Sequence, residues 1–158
     1  MNILHGLCVA LLLAAPLAHG SSTEPGKVIA GWVEKISLVE PALTLKAKLD
    51  TGAKTSSIHA VNVEQFMRDG DRWVRFDLLL DDVDDKQHTL HMEKPKVRRV
   101  RIKDNDGDDD RRAVVELEIC FDGRRHVTEF TLAERTDYIY DVLLGRAFLQ
   151  GVAVVDPE

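Results

Sequence analysis

The sequence predicts an all-β fold, a small β-barrel or sandwich with one short helix near the C-terminus. Three observations predict it. Apolar residues recur with a period of two through most of the chain after residue 27. Turn signals rich in Asp and Gly separate these runs at short intervals. A helical pattern is confined to Leu144–Gln150.

The elements follow in order. Residues 1–20 contain no Lys, Arg, Asp or Glu, and Leu7–Leu17 is nearly continuous apolar sequence. Ala18-His19-Gly20 supplies small residues where a signal peptidase cuts. This reads as a signal peptide, since the apolar run is shorter than the roughly 20 residues a bilayer span needs. The expected location is periplasmic or secreted, with no stable membrane anchor after cleavage. Residues 21–27 form a polar, flexible lead-in, and 28–158 form the folded domain. Val28–Leu38 alternates around Trp32. Leu43–Leu49 alternates strictly, with Leu43, Leu45, Ala47 and Leu49 on one face. Ser57–Val63 reads as a further strand, and Trp73–Leu80 follows the turn Asp69-Gly70-Asp71. Val97–Lys103 and Ala113–Phe121 flank an Asp/Gly-rich turn, and Asp122-Gly123 turns the chain into Arg125–Leu132.

Composition excludes several function classes. With 21 Lys+Arg against 27 Asp+Glu the net charge is −6, which disfavours a general nucleic-acid or anionic-membrane binder. The basic run Lys94–Lys103 has no aromatic residues for base stacking and is flanked by Asp81–Asp85 and Asp104–Asp110. It reads as a charged strand pair, with recognition of an acidic peptide as the sharper alternative. After residue 20 the sole cysteine is Cys120, in an alternating run, so the fold rests on a core rather than on disulfides. Asp104–Asp110 resembles the start of a calcium loop, but the twelfth position is Val115 rather than Glu, so a solvated turn is expected.

The chemical signal is Asp50-Thr51-Gly52-Ala53, placed directly after the Leu43–Leu49 strand. A carboxylate on a tight turn at the end of a core strand is held where substrate can reach it. Gly52 permits close backbone approach, and Thr51 can hydrogen-bond across to a partner. A structural turn aspartate is the plainer reading of the tetrapeptide alone. Near the C-terminus, Val142-Leu143-Leu144-Gly145-Arg146 gives apolar residues before Gly and then the short helix.

Together these motifs resemble a retropepsin-type aspartic protease domain. Lys46–Ala60, which spans the Asp50 motif and His59, is similar to the bacterial retropepsin-like family described as ATP-dependent zinc proteases. Gly31-Trp32, Thr131–Arg135, Leu143–Arg146 and Val155-Asp156 match further pieces of that family's pattern. The resemblance covers roughly Val28–Asp156. It implies a closed or partly open β-barrel of the acid-protease type, and a homodimer in which two Asp-Thr-Gly loops meet. Their two carboxylates would share one proton. Asp50 is then the expected catalytic residue and Thr51, Gly52 and Ala53 its loop. His59, Gly145 and Arg146 are expected to support it. Lys54 stands where viral retropepsins carry an acidic partner for the arginine, so Arg146 needs another partner. Asp81–Pro95 is extra length, a longer flap or an insertion.

Cofactor motifs are sparse. No Gly-x-x-x-x-Gly-Lys-Ser/Thr loop supports ATP, and no His-Glu-x-x-His supports zinc. His59, His88 and His91 would make an open zinc site only if they converged, and a strand through Thr89-Leu90 would send His88 and His91 to opposite faces. The expected activity is hydrolysis of peptide or isopeptide bonds by an exported aspartic peptidase with no cofactor, a homodimer acting on peptide or protein substrates and not on nucleic acid. A peptide-binding module without catalysis and a zinc peptidase are the alternatives.

Overall fold

The structure, a computed structural model, describes residues 26–103 and 109–158. The expected signal peptide, most of the lead-in and most of the Asp104–Asp110 turn lie outside the described residues. The strands are β1 (Val28–Ala30), β2 (Val33–Leu38), β3 (Leu43–Leu49), β4 (Ser56–Arg68), β5 (Asp71–Asp81), β6 (Gln87–Pro95), β7 (Arg98–Lys103), β8 (Asp109–Phe121), β9 (Arg124–Ala133), β10 (Val142–Leu144) and β11 (Ala153–Val155). One helix, α1 (Arg146–Leu149), separates the last two. Among the described residues no helix is long and apolar enough to cross a membrane.

Six strands close a barrel in the order β10-β3-β2-β8-β9-β4, and β4 pairs back onto β10. Alternation makes the core. Leu45, Ala47 and Leu49 of β3 are buried while Lys46 and Lys48 between them are not. They meet Ile36 and Leu38 of β2, Val115, Leu117 and Ile119 of β8, and Phe130 and Leu132 of β9, all buried. At 25 cal/mol per Å² of apolar surface, each such side chain contributes about 1.5–3 kcal/mol. α1 packs against this core through Phe148, whose ring meets Phe121 edge-on at 5.6 Å.

β4 is longer than its expected span because it leaves the barrel. Its first half pairs with β9 and β10, and its second half pairs with β5. The change of partner falls between His59 and Ala60, and a register shift follows between Val61 and Glu64, where Asn62 takes φ 52° and donates to Asp77 Oδ2 at 2.8 Å. Asn tolerates that left-handed conformation better than most residues. β5 and β6 continue the sheet outward, so Asp81–Pro95 is half of a hairpin. Val28–Leu38 is not one strand either. β1 pairs in parallel with β11 in a separate two-stranded sheet, and the chain breaks at Gly31-Trp32 before β2 joins the barrel. Cys120 is half-buried and unpaired.

The two short hairpins follow directly from their turn residues. Asp69 and Gly70 take φ 51° and 87°, and Asp122 and Gly123 take φ 49° and 71°. Two consecutive positive φ values suit a two-residue turn whose twist matches the strands, which Asp-Gly accommodates.

Candidate active site

Asp50 follows β3 where that strand runs beside β10. Its amide donates to Leu144 O at 2.9 Å, so the barrel's own hydrogen bonding places it. Its carboxylate folds back over the turn. Oδ1 accepts from Gly52 N at 2.9 Å and from Ala53 N at 3.3 Å. A Cβ on Gly52 would stand 3.1 Å from Oδ1, so glycine leaves that contact room. Oδ2 faces Lys48 Nζ at 3.2 Å. Burial alone would raise the Asp50 pKa, but the Gly52 amide, the Lys48 ammonium and the Ala53 amide outweigh it and hold the carboxyl below its ordinary value.

The C-terminal motif braces this loop from the other side. Arg146 Nη1 donates to Thr51 O at 2.9 Å and to Gly52 O at 2.8 Å. Its amide donates to Ala53 O at 2.9 Å, and Ala147 N donates to Lys54 O at 3.0 Å. Backbone carbonyls thus take the role that an acidic residue at position 54 would have filled. Gly145 N donates to Ser56 Oγ at 3.2 Å. A Cβ on Gly145 would lie 2.6 Å from both Thr55 C and Thr55 O. Its φ of −93° is ordinary, so close approach alone demands glycine. Thr51 is exposed.

His59, expected to support Asp50, makes none of these loop contacts. It is buried on β4, its Nδ1 accepts from Arg135 N at 2.6 Å, and its amide donates to Asp141 O at 2.8 Å. Arg135 is buried too. Its Nε donates to Tyr140 O at 3.0 Å, its Nη1 donates to Ser57 Oγ at 3.0 Å, and its guanidinium lies over the Tyr138 ring at 4.6 Å. Burial lowers the Arg135 pKa from its ordinary value, partly offset by Tyr138 and Asp141. His59 and Arg135 therefore pin residues 135–141 to the barrel. That segment walls a pocket of about 370 Å³ that opens on Asp50, with Trp32, Lys48 and Leu143 completing it. A larger cavity, about 460 Å³, is lined by Val61, Asn62, Arg111 and Glu134 and holds no residue of the Asp50 loop.

The three histidines considered for zinc stay apart. His88 pairs with Asp82 at 2.7 Å and His91 with Asp77 at 2.6 Å, on alternate faces of β6, while His59 is committed to Arg135. Among the described residues no group of three or more His, Cys, Asp or Glu side chains is placed to hold a metal ion. Asp141 accepts from Asp81 N at 2.7 Å and lines a different pocket from Asp50. Lys48 and the buried Arg135 were not singled out by sequence reasoning. A period-two strand does put residues 48 and 50 on one face. Nothing in the sequence signals the folding of residues 135–141 over His59.

Known proteins bear on this geometry. The family model of the RimB-like retropepsin-like aspartic endopeptidases matches residues 29–158. A Shewanella pealeana protein named "Probable alpha-L-glutamate ligase" is 37% identical over 127 residues, covering 80% of this chain and 27% of that protein. A Desulfotalea psychrophila protein of the same name is 33% identical over 137 residues, covering 86% of this chain and 29% of that protein. The chain thus spans little more than a quarter of the length of these relatives. A crystal structure of a Legionella pneumophila protein of unknown function is similar at TM-score 0.68 and 34% identity, covering 82% of this chain and 93% of that one. Barrel, Asp50 loop, Gly145-Arg146 brace and family match agree, and the chain belongs to the RimB-like family of retropepsin-like aspartic endopeptidases.

Proposed function

We propose that this protein is an aspartic peptidase that hydrolyses peptide or isopeptide bonds at a site assembled from the Asp50-Thr51-Gly52 loops of two copies. The observation that carries the reading is the Asp50 carboxylate itself. It ends a core strand, is oriented by two loop amides, and sits on a loop whose carbonyls are tied down by Arg146. A preorganised carboxylate at the mouth of a pocket suits a general base.

The chemistry needs two such groups. One ionised carboxylate removes a proton from water, whose oxygen attacks the scissile carbonyl carbon. The second, protonated, polarises the carbonyl oxygen. Each chain carries a single Asp-Thr-Gly, so the second carboxylate comes from another copy. Exposed Thr51 supports a loop-to-loop contact of this kind. The reading calls for no metal and no nucleotide. It includes export, supported by the uncharged apolar residues 1–20. The ligase named in the relatives joins glutamate, which makes glutamate-containing peptides the first substrates to try.

Mixing wild-type chains with D50N chains at about pH 4.5 tests the shared site. A two-copy site predicts that activity per wild-type chain falls as D50N chains are added. Activity per wild-type chain that stays constant contradicts it.

A further inference from the structure

Lys48 and Asp50 stand on one face of the chain at the end of β3, and both line the pocket beside Asp50. The two carboxylate oxygens have different partners. Oδ1 is taken by the loop amides, whereas Oδ2 meets the Lys48 ammonium at 3.2 Å. Both side chains stay within reach of solvent, at 42% and 26% exposure. A peptide carbonyl entering this pocket therefore meets a cationic donor and a carboxylate base side by side.

We propose that Lys48 is a further catalytic residue, the donor that polarises the scissile carbonyl when both aspartates are ionised. The proposal rests on the reading of Asp50 as the general base. In a two-carboxylate site the polarising proton is the one the carboxylates share, and it is lost once both ionise. An ammonium donor does not depend on that shared proton. Asp50 takes a proton from water as the water oxygen bonds to the carbonyl carbon. The carbonyl π electrons move onto oxygen, and Lys48 hydrogen-bonds the resulting oxyanion. The C–N bond then breaks, and the leaving nitrogen takes the proton back from Asp50. A carboxylic acid and an amine are released.

Other charged groups around the pair do not take this role. Arg135 is committed to Tyr140 O, Ser57 Oγ and the Tyr138 ring. Arg146 is bound to the carbonyls of Thr51 and Gly52. Asp137, Tyr138 and Tyr140 also line the pocket, and none of them is a cation. Opposite Lys48 on the flanking strands are Val33 and Leu143, which carry no charge. The depressed Asp50 pKa is consistent with a carboxylate kept ionised beside this lysine.

The test compares wild type, K48M, K48R and D50N as full chains on a diverse peptide library at about pH 4.5 and about pH 7.5. K48M is expected to lose about 100-fold in kcat at the higher pH, with KM little changed, and to lose much less at the lower pH, where the shared proton polarises the carbonyl. K48R is expected to retain most of the neutral activity. K48M that works as well as wild type at both pH values overturns the proposal and leaves the Asp50 reading standing. So does K48M that loses equally at both pH values through a raised KM, because that marks a binding role. Cleavage that survives D50N, or a library left uncut by wild type throughout, removes the Asp50 reading and this proposal with it. A carboxyl NMR titration supplies a readout without substrate. The Asp50 midpoint is expected to rise in K48M, and an unchanged midpoint also overturns the proposal.

Discussion

Gly145 and His59 hold the site by opposite means, one by having no side chain and the other by burying a polar one. Gly145→Ala would drive a Cβ into Thr55 backbone at 2.6 Å, where no flexible side chain can give way. We expect a loss of about 1–3 kcal/mol in chemical denaturation, the usual cost of overpacking. His59→Ala removes the acceptor of the Arg135 amide and leaves a buried N–H unpaired. That costs about 1–3 kcal/mol and frees residues 135–141 from the barrel. Faster amide exchange across that segment would check it, and unchanged exchange would show that His59 does not pin it. At this scale the Asp50 tetrapeptide alone reads as an ordinary turn, and only its place after an apolar strand and the family resemblance marked it out. The resemblance implied that Arg146 supports this loop, but its partners, the carbonyls of Thr51 and Gly52, were not legible because they lie 95 and 94 residues away in the chain.

Elements were legible wherever burial imposes a period on the sequence. β3 has its expected bounds because one face is core and the other is not. β6 escaped detection because its apolar content at alternate positions is little more than Leu90 and Met92. Charge supplements packing there. Asp77 bonds Asn62 and His91, Asp82 bonds His88, and Glu93 bonds Arg68 and Arg75. Those partners, in that order, hold the three carboxyls below their ordinary pKa values. A carboxyl with a depressed folded pKa adds stability that is present above its unfolded value, about 4, and lost as pH falls through the folded value. The β5–β6 hairpin should therefore loosen below about pH 4 before the barrel does. Amide protection of residues 87–95, compared at about pH 5 and about pH 3, measures this. Equal protection at both would mean that the ion pairs contribute nothing. Asp141 works the other way, since burial raises its pKa and protonation relieves that burden. The break at Gly31-Trp32 was invisible for a different reason. Alternation continues across it, and only pairing reveals that β1 and β2 serve different sheets.

At the scale of the whole molecule, barrel closure makes the site. β10 lies parallel to β3 and antiparallel to β4, and this three-residue strand delivers Gly145 and Arg146 to the back of the Asp50 loop. Strand spacing narrowed the class to a barrel or a sandwich, and the family resemblance selected the barrel. The closure could not be read from spacing, because it depends on pairings between distant segments. Trp32, Tyr138 and Ile139 remain exposed around the pocket, with Ile139 at 91%. Substrate or a second copy would cover such apolar surface. Whether Asp50 performs hydrolysis is decided by comparing two chains. Wild type and D50N are incubated with a diverse peptide library across about pH 3–8, with and without a metal chelator. Cleavage is expected to resist the chelator and to disappear in D50N. Cleavage that persists in D50N, or that the chelator abolishes, would contradict it.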